Sequence, residues 1–155
     1  DWNLLRNRVA GLYGDTPAER ARIHWLEKYA DYELAPHTTF CVFVNRALNP
    51  TRGKPCDEAA VQQALEEKLP RHFDYLERVL GDADYFVGGR LSMADLAFAC
   101  QMINLQHGGE ALDARRWPAL AALLSRLYRR DSLQALLPQE RTLLEQLLAQ
   151  APVGA

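Results

Sequence analysis

Apolar residues fill nearly every position from Met93 to Leu105, whereas the segments before and after it alternate apolar and polar positions with helical period. A helix that is apolar on all sides has to be surrounded by protein, so this stretch predicts a buried central helix. Ser92 and Asp95 mark its start: they are spaced as an N-cap and a third helical residue, whose side chains can bond the N–H groups that the first turn leaves free. Leu91 and Leu96 flank them as a hydrophobic staple. The capping geometry explains Asp95 without a catalytic role. Cys100, one turn after Leu96 and one before Ile103, reads as a small core filler.

The outer helices follow from punctuation and period. Thr16-Pro17-Ala18-Glu19 combines a capping box with proline at the first helical position, and the helix it opens is predicted to run to about Leu34, before Pro36. Ile23, Leu26, Ala30 and Leu34 point inward, while Arg20, His24, Glu27 and Asp31 form a solvated face. A second stripe, Trp25, Tyr29, Tyr32 and Pro36, reads either as more core or as the lining of a cleft or interface. The run from His37 to Leu48 suits a strand or a short helix; with no partner strand elsewhere it is read as helix. Residues 49–55 carry loop signals, and Asp57 caps a helix whose apolar positions Val61, Leu65, Leu69, Phe73, Leu76 and Leu80 end at Gly81. Pro70 is expected to bend or split it near Leu69. A further helix runs from Pro118 to Arg130, a turn covers residues 132–137, and Pro138 opens a last amphipathic helix. The prediction is an all-α bundle of seven or eight helices around the buried one.

Composition narrows the function without naming it. At 155 residues the chain suits one domain, read as residues 15–149. Residues 1–14, with Trp2, Leu4, Leu5 and Val9, read as a short helical piece and linker, and residues 150–155 as a frayed tail. Eighteen Lys and Arg against twenty Asp and Glu point to neither nucleic acid nor an anionic membrane. Arg115, Arg116, Arg126, Arg129 and Arg130 read as a solvated face, three of them complementing a helix C-terminus. Three widely spaced cysteines imply neither a disulfide framework nor a zinc site, which suits a reducing, cytoplasmic setting. The sequence has no span of about 20 apolar residues for a bilayer, and no phosphate loop, metal-spaced cluster or nucleophile elbow. His37, just after Pro36, is either a surface histidine or a ligand-facing one.

Three stretches resemble the C-terminal helical domain of the cytosolic glutathione S-transferase family: residues 19–36, Phe86-Val87-Gly88-Gly89-Arg90-Leu91-Ser92-Met93-Ala94-Asp95, and Trp117-Pro118-Ala119-Leu120 with Arg126 and Arg130. The resemblance implies a thioredoxin-like N-terminal half that binds glutathione and supplies the catalytic Ser, Tyr or Cys. It also implies that this helical half forms a wall of a small apolar electrophile's pocket and part of a homodimer interface. Carried onto this sequence, the substrate-facing residues are Trp25, Tyr29, Tyr32 and His37, with no catalytic residue and no metal ligand. The chain alone is expected to lack transferase activity. A rival implication is a non-catalytic interaction module, similar to stringent starvation protein A or the gamma subunit of the translation elongation factor.

Overall fold

The computed structural model describes residues 10–150; the N-terminal piece through Val9 and the tail after Gln150, both given roles above, lie outside the described residues. A 3-10 turn, Ala10–Tyr13, leads into five continuous helical rods: α1 (residues 17–51), α2 (residues 58–80), α3 (Met93–His107), α4 (Pro118–Tyr128) and α5 (Asp131–Ala149). Among the described residues there is no strand. Thr16 opens α1 by the expected reciprocal cap: its hydroxyl accepts the Glu19 N–H at 3.1 Å, and the Glu19 carboxylate accepts the N–H groups of Thr16 and Asp15. Gly14 makes room for this turn. It holds φ +78°, and a Cβ there would come within 2.6 Å of Glu19 Cβ.

A helix end was expected before Pro36, a loop around Pro50 and a bend or split at Pro70; helical rods run on through all three. Pro36, Pro50 and Pro70 each sit two residues beyond a π-helical segment, respectively Ala30–Leu34, Thr38–Leu48 and Ala64–Lys68. Proline lacks an N–H and its ring crowds the carbonyl four residues back. Widening the preceding turns to i→i+5 bonding re-registers the chain ahead of each ring: Ala35 N–H bonds Ala30 O, Asn49 N–H bonds Val44 O and Leu69 N–H bonds Ala64 O. The helix predicted to stop near Leu34 therefore runs on through residue 51, absorbing the first residues of the predicted loop. Pro70 changes the helical register beside Leu69 without interrupting the rod.

Pro138 is the other correction. It lies inside α5, and the predicted turn over residues 132–137 is helix. This rod has no fully buried residue, and Gln134, whose carbonyl loses its partner at Pro138, is exposed, which limits the cost of the missing bond.

Around α3 the core forms as the periodicity predicts. Ile23, Leu26 and Leu34 of α1, Leu69, Phe73, Leu76 and Leu80 of α2, and Leu120, Leu123 and Leu127 of α4 enclose Ala94, Phe98, Met102 and Leu105. The enclosure is incomplete. Cys100 is exposed rather than a core filler, and toward the end of α3 Glu140 of α5 lies 3.4 Å from His107 Nε2. Polar groups pin α3 to α1: the Gln101 amide oxygen accepts from the Thr38 and Thr39 hydroxyls at 2.8 Å each, and the Asn104 amide donates to Thr39 at 2.8 Å. At the other end of α3 the Asp95 carboxylate is fully buried. It accepts the Ser92 N–H and hydroxyl at 2.8 Å and the Phe86 N–H at 2.9 Å.

α4 takes its cap from another helix. Trp117 precedes it with no side-chain cap of its own, and Glu77 of α2 supplies one by accepting the Ala119 and Leu120 N–H groups at 2.8 and 2.9 Å. One turn earlier, Asp74 accepts the Trp117 indole N–H at 2.7 Å and pairs with Arg116 at 3.1 Å.

Arg46 ties α1 to the start of α2 and to the segment after α3, through Glu58 at 2.5 Å and Glu110 at 2.6 Å. The Arg46 bond holds the Glu58 carboxyl down at about 2, with help from the Gln62 amide. Its folded value lies below the ordinary 4.5, so the stability it adds is present above about pH 4.5 and lost as pH falls toward 2. Thermal melts are expected to show that acid slope, and Glu58→Gln is expected to flatten it; an unchanged slope would remove the pair from the acid response.

Candidate functional site

Trp25, Tyr29 and His37 of α1 meet Tyr75 and His72 of α2 along the seam between the two helices. The Trp25 indole N–H donates to the Tyr75 hydroxyl at 3.4 Å, and the Tyr29 hydroxyl lies 2.7 Å from His72 Nδ1. Ring centroids are 4.9 Å apart for Tyr29 and Tyr75, 5.7 Å for Tyr29 and His72, and 5.6 Å for the stacked pair His37 and His72. His72 and Tyr75, three positions apart on α2, fall on one face and present both rings to α1.

The π turn explains why His37 joins this strip and Tyr32 does not. In an α-helix each residue turns about 100°, so a residue eight positions after Tyr29 lies well off its face. A single π turn takes up one extra residue and brings position 37 back over His72. The spacing Trp25, Tyr29, Tyr32, Pro36, read at 3.6 residues per turn, therefore splits. Tyr32 is 69% exposed and carries only the Lys28 ammonium, 5.7 Å from its ring centre. Trp25 is 60% exposed and Phe40, further along the same rod, 67%. His72 and Tyr75 escaped the sequence reading. The signal for them was the i, i+3 pair on a helix otherwise read only for its apolar positions.

The titratable groups of this strip favour their neutral forms. Burial, then Glu33 and Tyr75, pushes the Tyr29 phenol up to about 12, so it stays a phenol at neutral pH. Burial lowers both histidines; the neighbouring His72 and then Lys68 lower His37 further, and Arg71 adds to the effect on His72 against the pull of Glu33. Neutral His72 can accept the Tyr29 proton at Nδ1, which places its own proton on Nε2. None of the three thiols is pushed down: partial desolvation by neighbouring groups is the first cause raising Cys41, Cys56 and Cys100, although the last two remain exposed. Among the described residues no group of three or more His, Cys, Asp or Glu could hold a metal ion, and no helix is long and apolar enough to cross a membrane.

Residues 46–140 match the family described as glutathione S-transferase, C-terminal domain. Two curated relatives are similar at 32% identity. FtsZ-localized protein A of Caulobacter vibrioides aligns over 103 residues, 64% of this chain and 43% of its own length. Glutathione S-transferase F10 of Arabidopsis thaliana aligns over 93 residues, 59% and 42% respectively. A solved glutathione S-transferase from Rhodospirillum rubrum superposes with a TM-score of 0.75 at 18% identity, covering 86% of this chain and 60% of that one. The chain thus spans less than half the length of the curated relatives it matches.

Proposed function

From the premise that this chain belongs to the glutathione S-transferase C-terminal domain family, we propose that it is the helical half of a glutathione transferase-like protein. Residues 15–149 form that half, paired with a thioredoxin-like half that holds glutathione and supplies the catalytic residue. The helical half provides one wall for a small apolar electrophile and a surface for a homodimer. Trp25, Tyr29 and His37, joined by His72 and Tyr75, form the substrate-facing aromatic strip, and Tyr32 lies at its exposed margin. Ser92 and Asp95 are structural. The setting is cytoplasmic, with no nucleic acid and no membrane as partner.

The observation that carries this reading is the exposure of Trp25, Tyr32 and Phe40 on one rod whose Ile23, Leu26, Leu34 and Val42 are buried. Monomers seldom leave contiguous apolar patches beyond a few hundred Å² uncovered. Light scattering after size-exclusion chromatography of the 155-residue chain is expected to give a dimer or larger. Glutathione titrated into it is expected to give no heat. A strict monomer would remove the interface, and measurable glutathione binding would place the tripeptide's site on this half.

A second reading, the non-catalytic interaction module, is favoured by the alignment to FtsZ-localized protein A, which covers slightly more of this chain than the transferase alignment. Conjugation assays on the full-length protein separate the two: turnover of an aromatic electrophile with glutathione supports the enzyme, and its absence with a dimer intact supports the module.

A further inference from the structure

His37 of α1 and His72 of α2 stack across the seam between the two helices, their rings inclined by 28° with centroids 5.6 Å apart. Both are half-buried. The two rings are held differently. His72 Nδ1 lies 2.7 Å from the Tyr29 hydroxyl and can accept its proton, whereas His37 makes no side-chain hydrogen bond among the described residues and has His72 as its ring partner. The charged groups that face the pair come from both helices: Glu33 on α1, Lys68 and Arg71 on α2. With the phenols of Tyr29 and Tyr75 beside them, one acid is set against two bases.

Neutral, the pair stacks as two flat rings; doubly protonated, it sets like charges face to face in a half-buried place with a single acid to offset them. We propose that this pair is an acid switch in the aromatic strip: protonated together, the rings part, His37 leaves the seam and His72 turns from acceptor to donor toward Tyr29. The charge on His72 opposes a second proton on His37, so the protons are taken up in order. Protonated His72 carries a hydrogen on both ring nitrogens, so the Tyr29 hydroxyl then accepts from Nδ1 and aims its own proton elsewhere. Tyr75 stacks on Tyr29 at 4.9 Å and accepts the Trp25 indole N–H, which carries the change along the strip. A neutral aromatic surface thereby becomes a cationic one in acid. Within the function proposed above this alters the wall offered to an apolar electrophile, and only that consequence rests on that reading.

Nuclear magnetic resonance on the 155-residue chain tests the switch by following the ring signals of both histidines and the Trp25 indole N–H as pH falls. The titration is read above about pH 4.5, where the Arg46–Glu58 pair stays intact. The expected result is two separate steps, both below the ordinary histidine value of 6.5, with the Trp25 signal moving on the same steps. His72→Gln, which keeps an acceptor for Tyr29, is expected to shift the His37 step to higher pH. His37→Gln/His72→Gln is expected to abolish the Trp25 shift over that range. Two histidines that titrate independently at the ordinary value would overturn the switch. So would a Trp25 signal that stays still through both steps, or one that moves as before in the double variant. Should the double variant fail to fold by circular dichroism, the coupling of the wild-type steps and the His72→Gln shift still decide. Neither dimer formation nor glutathione binding enters this readout, so its failure leaves the proposed function standing, and a monomeric chain leaves the switch standing.

Discussion

Replacing Asp95 with alanine is expected to cost roughly 2–6 kcal/mol, because it leaves two buried N–H groups without an acceptor and each such group costs roughly 1–3 kcal/mol. The Phe86 and Ser92 N–H groups both end on this carboxylate, and the Ser92 hydroxyl joins them. Burial pushes the Asp95 carboxyl up while those donors pull it down, and burial prevails. A carboxylate in such a place depends on its fixed donors. Phe86 also stands edge-on to Phe98, 5.7 Å away in the core, so freeing its N–H loosens the loop that covers α3 as well as the cap. For a domain of this size each kcal/mol lost corresponds to a fall in Tm of roughly 2–4 °C. Asp95→Asn, which keeps one accepting oxygen, is expected to fall between the two. An alanine variant whose denaturant midpoint matches wild type would contradict the cap's role.

Glu77→Ala is expected to cost about 0.5–2 kcal/mol, the range for losing an N-cap, although Glu77 is about forty residues away in sequence from the helix it caps. With the carboxylate gone, the Ala119 and Leu120 N–H groups at the start of α4 lose their acceptor. The neighbouring Asp74 still holds the Trp117 indole at 2.7 Å, so Trp117 gives an optical reading of how far the helix start frays. Its emission is expected to shift only slightly in Glu77→Ala and to move to the red in Asp74→Ala/Glu77→Ala, where both acids are gone. Glu77→Gln keeps an acceptor and is expected to recover part of the loss. A Glu77→Ala variant as stable as wild type would show that α4 needs no cap from α2.

The sequence by itself determined what rests on local pattern. The two capping boxes, Thr16 with Glu19 and Ser92 with Asp95, are where spacing places them, because a cap involves residues only three apart. The inward faces of α1, α2 and α4 were legible for a similar reason. Burial selects apolar residues at helical period, and Ile23, Leu26, Leu69, Phe73, Leu120 and Leu127 are all within a few percent of full burial. The fold class follows from these two kinds of signal.

The tertiary structure decided what local rules leave open at proline. Alone, Pro36, Pro50 and Pro138 are helix breakers; packed against α2 and α3, the residues before Pro36 and Pro50 widen into π turns instead of ending the helix, since ending it would uncover Leu34, Thr38 and Val42, all buried. That choice carries the candidate site with it. The extra residue taken up at Ala30–Leu34 rotates His37 onto His72 and leaves Tyr32 in solvent. A stripe drawn at 3.6 residues per turn cannot show this, because the register depends on what the helix packs against. The cap on α4 shares that dependence, as Glu77 acquires its role only from a helix start that the chain brings close by folding.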